Sequence, residues 1–223
     1  MKNKKLIISF LVFTYSVVSH ATTQSISTQS VEDKYRYQTY AGLTYGYGAT
    51  TWGYLIPPDK NAAMNLSTPI KVSENGTLWG FFLGYEFNPS FALEASYMHY
   101  PKAKVYFDPM SLFTFENDGL AGFTSHTQSI ALVGKFMIQI PRNTDFRAYS
   151  SVGAAGVHRD DIIANQWTLS PNFGVGFTYL ITERVMAEFG IVYTAGDAVS
   201  ELNPAESFIP FLYSGFLRLA LRV

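Results

Sequence analysis

The chain has no cysteine, little charge and, beyond its first residues, no long hydrophobic run. Without cysteine there can be no disulfide, no cysteine-based zinc site and no thiol catalysis. Charged residues are only 15% of the 223 and balance to a formal −1, which excludes the basic surface that nucleic acid needs. No apolar run past Ala21 reaches the length of a transmembrane helix, so a membrane-spanning reading must rest on strands. What the chain does have is aromatic residues, with 15 Tyr and 18 Phe. Its length suits one domain or two small ones.

The N-terminus reads as a secretory signal peptide over residues 1–21. MKNKK is a basic segment, LIISFLVFTYSVV is an apolar segment, and SHA supplies a small-x-small cleavage site after Ala21. The apolar segment is too short to span a bilayer comfortably. Cleavage removes Lys2, Lys4 and Lys5 and takes the net charge from −1 to −4. Residues 22–36 are polar and read as a periplasmic lead-in, which leaves 37–223 for the folded domain.

From there, period-two alternation dominates. Side chains of a strand point to opposite faces in turn. In FALEASYMHY, Phe91, Leu93, Ala95 and Tyr97 share one face, and Glu94 stands alone among Ala92, Ser96 and Met98 on the other. Seven further stretches behave alike, near 40–48, 79–87, 129–140, 146–152, 172–179, 185–193 and 216–223. One face of each is continuously apolar. The other holds Gly, Ser, Thr and the few charges, among them Glu86, Arg147 and Arg222. A soluble sandwich or lipocalin would turn polar residues outward. Here the polar face is the low-volume one, which suits the interior of a small barrel.

The connections alternate in length. Those at 88–90, 141–145 and 182–183 are tight, whereas those near 54–73, 106–122, 158–165 and 195–208 are longer, polar and mostly acidic. Together these features predict an all-β, eight-stranded antiparallel up-and-down transmembrane β-barrel, with long loops outside and both termini in the periplasm.

Four charges on the polar face fall at one level when counted from the short turns. Glu94, Lys135, Glu188 and Arg218 form a neutral layer near the bilayer midplane, paired on adjacent strands as Glu94 with Lys135 and Glu188 with Arg218. Neutrality is required because an unpaired charge in a narrow lumen is very costly. Trp52, Trp79, Tyr97, Trp167 and Tyr193 are expected to face lipid near the headgroups, where aromatic rings anchor barrels.

The stretches YAGLTYGY, GYEFNPSFALEASY, VGKFMIQIPRNTDFRAYSSVGAAG and SPNFGVGFTYLITERVMAEFGIVY resemble the N-terminal transmembrane domain of the OmpA family. The similarity runs from Tyr35 to Val223. It implies a bacterial outer-membrane protein with a structural and surface-interaction role. Its partners would be outer-membrane lipids, lipopolysaccharide, the barrel assembly machinery, and extracellular or host ligands of the long loops. Three departures stand out. The sequence stops at the eighth strand, so the peptidoglycan-binding domain of larger members is not expected. It ends in Val223 where family barrels commonly end in an aromatic residue. It carries Glu188 where the family commonly has lumen Arg on the seventh strand, which requires a rearranged charge network.

Other chemistry has weaker support. HRDDIIAN, 158–165, has kinase catalytic-loop spacing, but neither a Gly-rich loop nor a strand Lys nor a D-F-G ligand accompanies it. GYG at 46–48 precedes no helix, so it is not a nucleotide fingerprint. His20 leaves with the signal peptide, and His99, His126 and His158 lack metal-ligand spacing, so no cofactor or metal is expected. A lipid A-modifying enzyme would need His with Ser or a carboxylate on adjacent strands. The only candidate, His126 beside Ser125 and Thr127, projects away from both in a regular strand. A narrow small-solute channel is the remaining alternative.

Overall fold

The computed structural model describes residues 38–56, 66–140, 143–197 and 208–223, with 143 and 144 described in backbone alone. The signal peptide and the whole polar lead-in lie outside the described residues, as do the loop acids Glu201 and Glu206.

The described residues form ten strands: β1 (Thr39–Ala49), β2 (Lys71–Ser73), β3 (Asn75–Asn88), β4 (Phe91–His99), β5 (Ala103–Tyr106), β6 (Gly122–Ile140), β7 (Asn143–Asp160), β8 (Asn165–Leu180), β9 (Val185–Thr194) and β10 (Leu212–Arg222). Eight of them close a barrel in which each strand pairs antiparallel with its sequence neighbour. β1 joins both β3 and β10, and the series runs on through β4, β6, β7, β8 and β9. The remaining two, β2 and β5, extend the wall beyond the barrel, with β5 on β6 and β2 on β5. Closure removes the free edges that a sheet could not afford in hydrocarbon.

The wall obeys the alternation in the sequence. Leu132 is 55% exposed and Leu217 67%, whereas the lumen residues Glu94 and Lys135 are 3% and 1% exposed. That inversion of soluble-protein burial is what a lipid solvent demands.

Turn chemistry sets the short end. Asn88 accepts from the Ser90 backbone N–H at 2.9 Å in the Pro89–Ser90 turn. In the 181–184 connection the Thr182 hydroxyl oxygen accepts from the backbone N–H of Val185 at 3.0 Å. Both ends of the barrel sequence lie on this side, since Val223 N–H donates to Thr39 C=O at 2.8 Å.

Two features at the other end depart from the sequence reading. The third long loop, expected over 158–165, is a four-residue hairpin connection, because His158–Asp160 belong to β7 and Asn165 opens β8. Asp161 closes it by accepting the backbone N–H groups of Ile163 and Ala164, each at 3.0 Å. β6 likewise starts at Gly122, well before the expected 129. These strand tops stand above the apolar belt, where no lipid requires an apolar outer face, so polar residues occupy both sides and the alternation fades.

Candidate functional site

Besides an apolar cluster of Leu78, Met98, Tyr100, Val157 and Leu212, the barrel interior holds two charged layers and a seal at the mouth. In the central layer Glu94 on β4, Lys135 on β6, Glu188 on β9 and Arg218 on β10 converge. Arg218 Nη1 donates to Glu94 Oε1 at 2.6 Å and to Glu188 Oε1 at 3.1 Å, and its Nε donates to Thr44 Oγ1 at 3.1 Å. Lys135 Nζ donates to Glu94 Oε2 at 3.3 Å and to Glu188. Tyr40 OH donates to Glu94 at 3.0 Å, and Tyr149 OH donates to Glu188 at 2.7 Å. Each carboxylate therefore bonds both cations and one phenol. The cations also lie over aromatic faces, Lys135 4.1 Å from the Tyr149 centroid and Arg218 4.2 Å from that of Phe216. Such complete pairing is the condition under which buried charge is tolerated.

Small residues make the space. A Cβ at Gly84 would collide with the Tyr40 ring. At Gly176 or Gly190 it would come within 2.6 Å of the Tyr149 hydroxyl. The glycines of the polar face thus let two tyrosines lie across the lumen and reach the carboxylates.

A second layer, nearer the short turns, was not anticipated as a unit. Glu86 on β3 pairs with Arg147 on β7 at 2.8 Å and with Arg222 on β10 at 2.8 Å. All three stood on the expected lumen face, and level counting applied to every such charge would have found them.

The third layer closes the mouth. After β1, Thr51 adopts a left-handed φ of 50°, and a short 3-10 helix, Trp52–Leu55, turns inward. Trp52 packs against Phe208 and Phe123, with centroids at 4.9 and 5.5 Å. The Arg159 guanidinium stacks 4.6 Å over Trp52, donates to the Phe208 carbonyl at 2.8 Å, and pairs with Asp161 at 2.7 Å. Three connections are thereby tied to one side chain. Glu74 braces the helix by accepting the Gly53 N–H at 3.1 Å. Burial pushes its carboxyl above the ordinary range, and hydrogen bonds from the Gly53 and Trp52 N–H groups partly oppose that shift.

Trp52 was expected in the lipid belt, and its position corrects that expectation: it is fully buried at the lumen mouth. The left-handed turn at Thr51 ends the strand alternation before Trp52, so parity no longer sets the side it takes. Asp161, in a connection the sequence reads as polar and acidic, has a side chain that is 0% exposed beneath Arg159. Trp79, Tyr97, Trp167 and Tyr193 do lie on the outer wall. Trp79 stacks near Tyr97 at 6.0 Å and His99 at 5.5 Å, Trp167 lies on His158 at 4.7 Å, and Tyr193 on Tyr213 at 4.9 Å. Ser125 and Thr127 point into the lumen, fully buried, while the alternation turns His126 outward. Among the described residues no cluster of His, Asp and Glu is arranged to hold a metal.

A closed antiparallel barrel of eight strands with an apolar outer wall and a charged interior is an outer-membrane barrel. The model of the OmpA-like transmembrane domain matches residues 36–210, and the chain belongs to that family. Among solved structures it is similar to the N-terminal β-barrel domain of Pseudomonas aeruginosa OprF, at 14% identity over 84% of this chain and 98% of that one, with a TM-score of 0.48. It is also similar to OprG of P. aeruginosa, at 12% identity over 84% and 97%, with a TM-score of 0.49. A third is Ail, the attachment invasion locus protein of Yersinia pestis, solved with the heparin analogue sucrose octasulfate, at 12% identity over 83% and 99%, with a TM-score of 0.42. No curated protein matches the chain. The family and the barrel fold assign the chain to the bacterial outer membrane.

Proposed function

We propose that this protein is a structural and surface-interaction barrel of the outer membrane, with a lumen closed to solutes and long connections displayed outside. The observation that carries this reading is the filled interior. The quartet of Glu94, Lys135, Glu188 and Arg218 is buried, with no member more than 6% exposed. The void beside it, lined by Ser96, Ser151, Asn172 and Val192 among others, measures about 10 Å³. That is room for roughly one water and no solute. The Glu86 layer below and the Trp52–Arg159–Phe208 seal above close the passage at two further levels.

On this reading the apolar wall and its aromatic girdle of Trp79, Tyr97, Trp167 and Tyr193 hold the protein among outer-membrane lipids, with lipopolysaccharide as the outer-leaflet neighbour and the barrel assembly machinery as the route of insertion. Extracellular ligands meet the displayed connections, where Met110 and Phe115 are 82% and 87% exposed. The role needs no catalysis. Single-channel recording tests it: a silent wild type fits, and steady solute-selective conductance rejects it in favour of a narrow channel.

A further inference from the structure

Above the lipid belt, the outer wall changes character between β2, β5 and β6. We infer that this patch is a binding site for the phosphorylated headgroup of an outer-leaflet lipid. The inference does not depend on whether the lumen conducts.

The register places the residues. Lys104 stands opposite Thr124 on β6 and opposite Ser73 on β2, while Lys71 stands opposite Tyr106 on β5. Lys71 and Lys104 are therefore diagonal neighbours on one face, roughly 7–8 Å apart at the backbone. Lys102 precedes Lys104 by one strand repeat, and all three lysines are exposed. The face is the outer one, because Thr124 and His126 continue the alternation of the lipid-facing Ile130 and Leu132. His99 lies on the same face just below it, opposite Gln128, with His126 and Lys102 within electrostatic reach.

The charge is one-sided. Among the described residues, two carboxylates border this patch: Asp160, opposite His126 in the β6–β7 register and already accepting from Asn165 at 3.0 Å, and Asp108, two residues beyond Tyr106 and already accepting the Met110 N–H at 2.9 Å. Glu74, next along from β2, is committed to the Gly53 N–H. Three lysines thus face two carboxylates, each of which already accepts a hydrogen bond.

Depth selects the ligand. Trp79, Tyr97 and His99 form the ring cluster directly below, and aromatic rings of this kind mark the headgroup level. Ala103 pairs with Ser125, while His99 pairs with Gln128. The patch therefore begins three residues up β6, roughly 10 Å along the strand at 3.3 Å per residue. Tilt shortens the climb, and lysine side chains can reach back down along the wall. Cations at that height meet lipid phosphates, which a soluble acidic partner would have to displace. Trp79 and Tyr97 offer the acyl chains a flat apolar seat beneath the same phosphate.

The test uses the full-length protein refolded in micelles and diphosphoryl lipid A, with retained adducts counted by native mass spectrometry. Wild type should retain lipid A. The Lys71→Gln/Lys102→Gln/Lys104→Gln variant should bind it roughly a hundredfold more weakly, at about a fivefold loss per lysine near a charged surface. Unchanged heat-shifted gel mobility would show that the variant is folded. Dephosphorylated lipid A should be retained no better by wild type than by the variant. Equal retention of diphosphoryl lipid A by both proteins overturns the proposal, as does equal retention of the dephosphorylated lipid by wild type. Inorganic pyrophosphate is the remaining arm: if it binds wild type as tightly as lipid A does, the site takes a free phosphate group and the lipid assignment fails.

Discussion

Arg218 and Glu94 meet at 2.6 Å across the lumen, from strands β10 and β4 that do not touch in the wall. Adjacent-strand reasoning couples Glu94 with Lys135 and Glu188 with Arg218. The barrel is narrow enough for each cation to bridge both carboxylates instead, so the quartet is one network spanning four strands. It fastens opposite walls together, which backbone pairing between neighbours cannot do.

Breaking this network should be expensive and non-additive. Glu94→Ala or Lys135→Ala alone should destabilise the barrel by roughly 3–5 kcal/mol, because each strands a buried partner. The pair should cost less than the sum, and so should Glu94→Ala with Arg218→Ala, with coupling of about 0.5–3 kcal/mol. Reversible urea unfolding in micelles measures the wild type, the three single variants and the two doubles. Additive effects would show that the residues act independently.

The space around Tyr149 gives a separate test. Gly190→Ala should destabilise by about 1–3 kcal/mol, since the new methyl invades the phenol's position. Tyr149→Phe in the same chain should recover part of that loss by removing the oxygen. An equal loss in the Tyr149→Phe background would place the strain elsewhere.

The lipid wall should reject charge. Leu132→Arg or Phe177→Arg should cost roughly 2–4 kcal/mol if near the midplane, as for other barrels. Phe177 lies on the outer face but is stacked between Phe146 and Phe189 at 5.3 and 5.1 Å, so its substitution also removes ring contacts. Neutral effects at both positions, measured by unfolding in lipid vesicles, would deny lipid exposure.

Protease added to intact cells should read the topology. Asp118 and Gly119 both have positive φ in an exposed turn between β5 and β6, where Glu116 is also exposed, so a glutamate-specific protease should cut there. A trypsin-like protease should spare Arg159, buried in its pair with Asp161. Cutting confined to the short 181–184 turn would invert the orientation.

Much of this was legible in the sequence, for a physical reason. A lipid solvent forces one face of every strand to be apolar, so alternation exposes the strands, and a lone Glu94 on the opposite face must be in the lumen. Counting from turns then brings the four charges to one height. What alternation cannot give is which charges touch, because that depends on lumen width and on tyrosines laid over glycines. It also fails where the membrane ends. Trp52 follows a left-handed turn that leaves the strand, and His158–Asp160 continue a strand that no longer has lipid on one side. The Glu86–Arg147–Arg222 layer was present on the polar face close to the turns, and the same level count would have brought it out.

The closed lumen is the central claim, and electrical recording tests it most directly. Purified protein inserted in a planar bilayer should stay silent from mildly acidic to mildly alkaline pH. A variant with Glu94, Lys135, Glu188 and Arg218 all replaced by alanine, together with Trp52→Ala, should open measurable conductance if it inserts. Sustained, ion-selective current through the wild type, present at the first recording and scaling with the amount of protein inserted, would contradict the account.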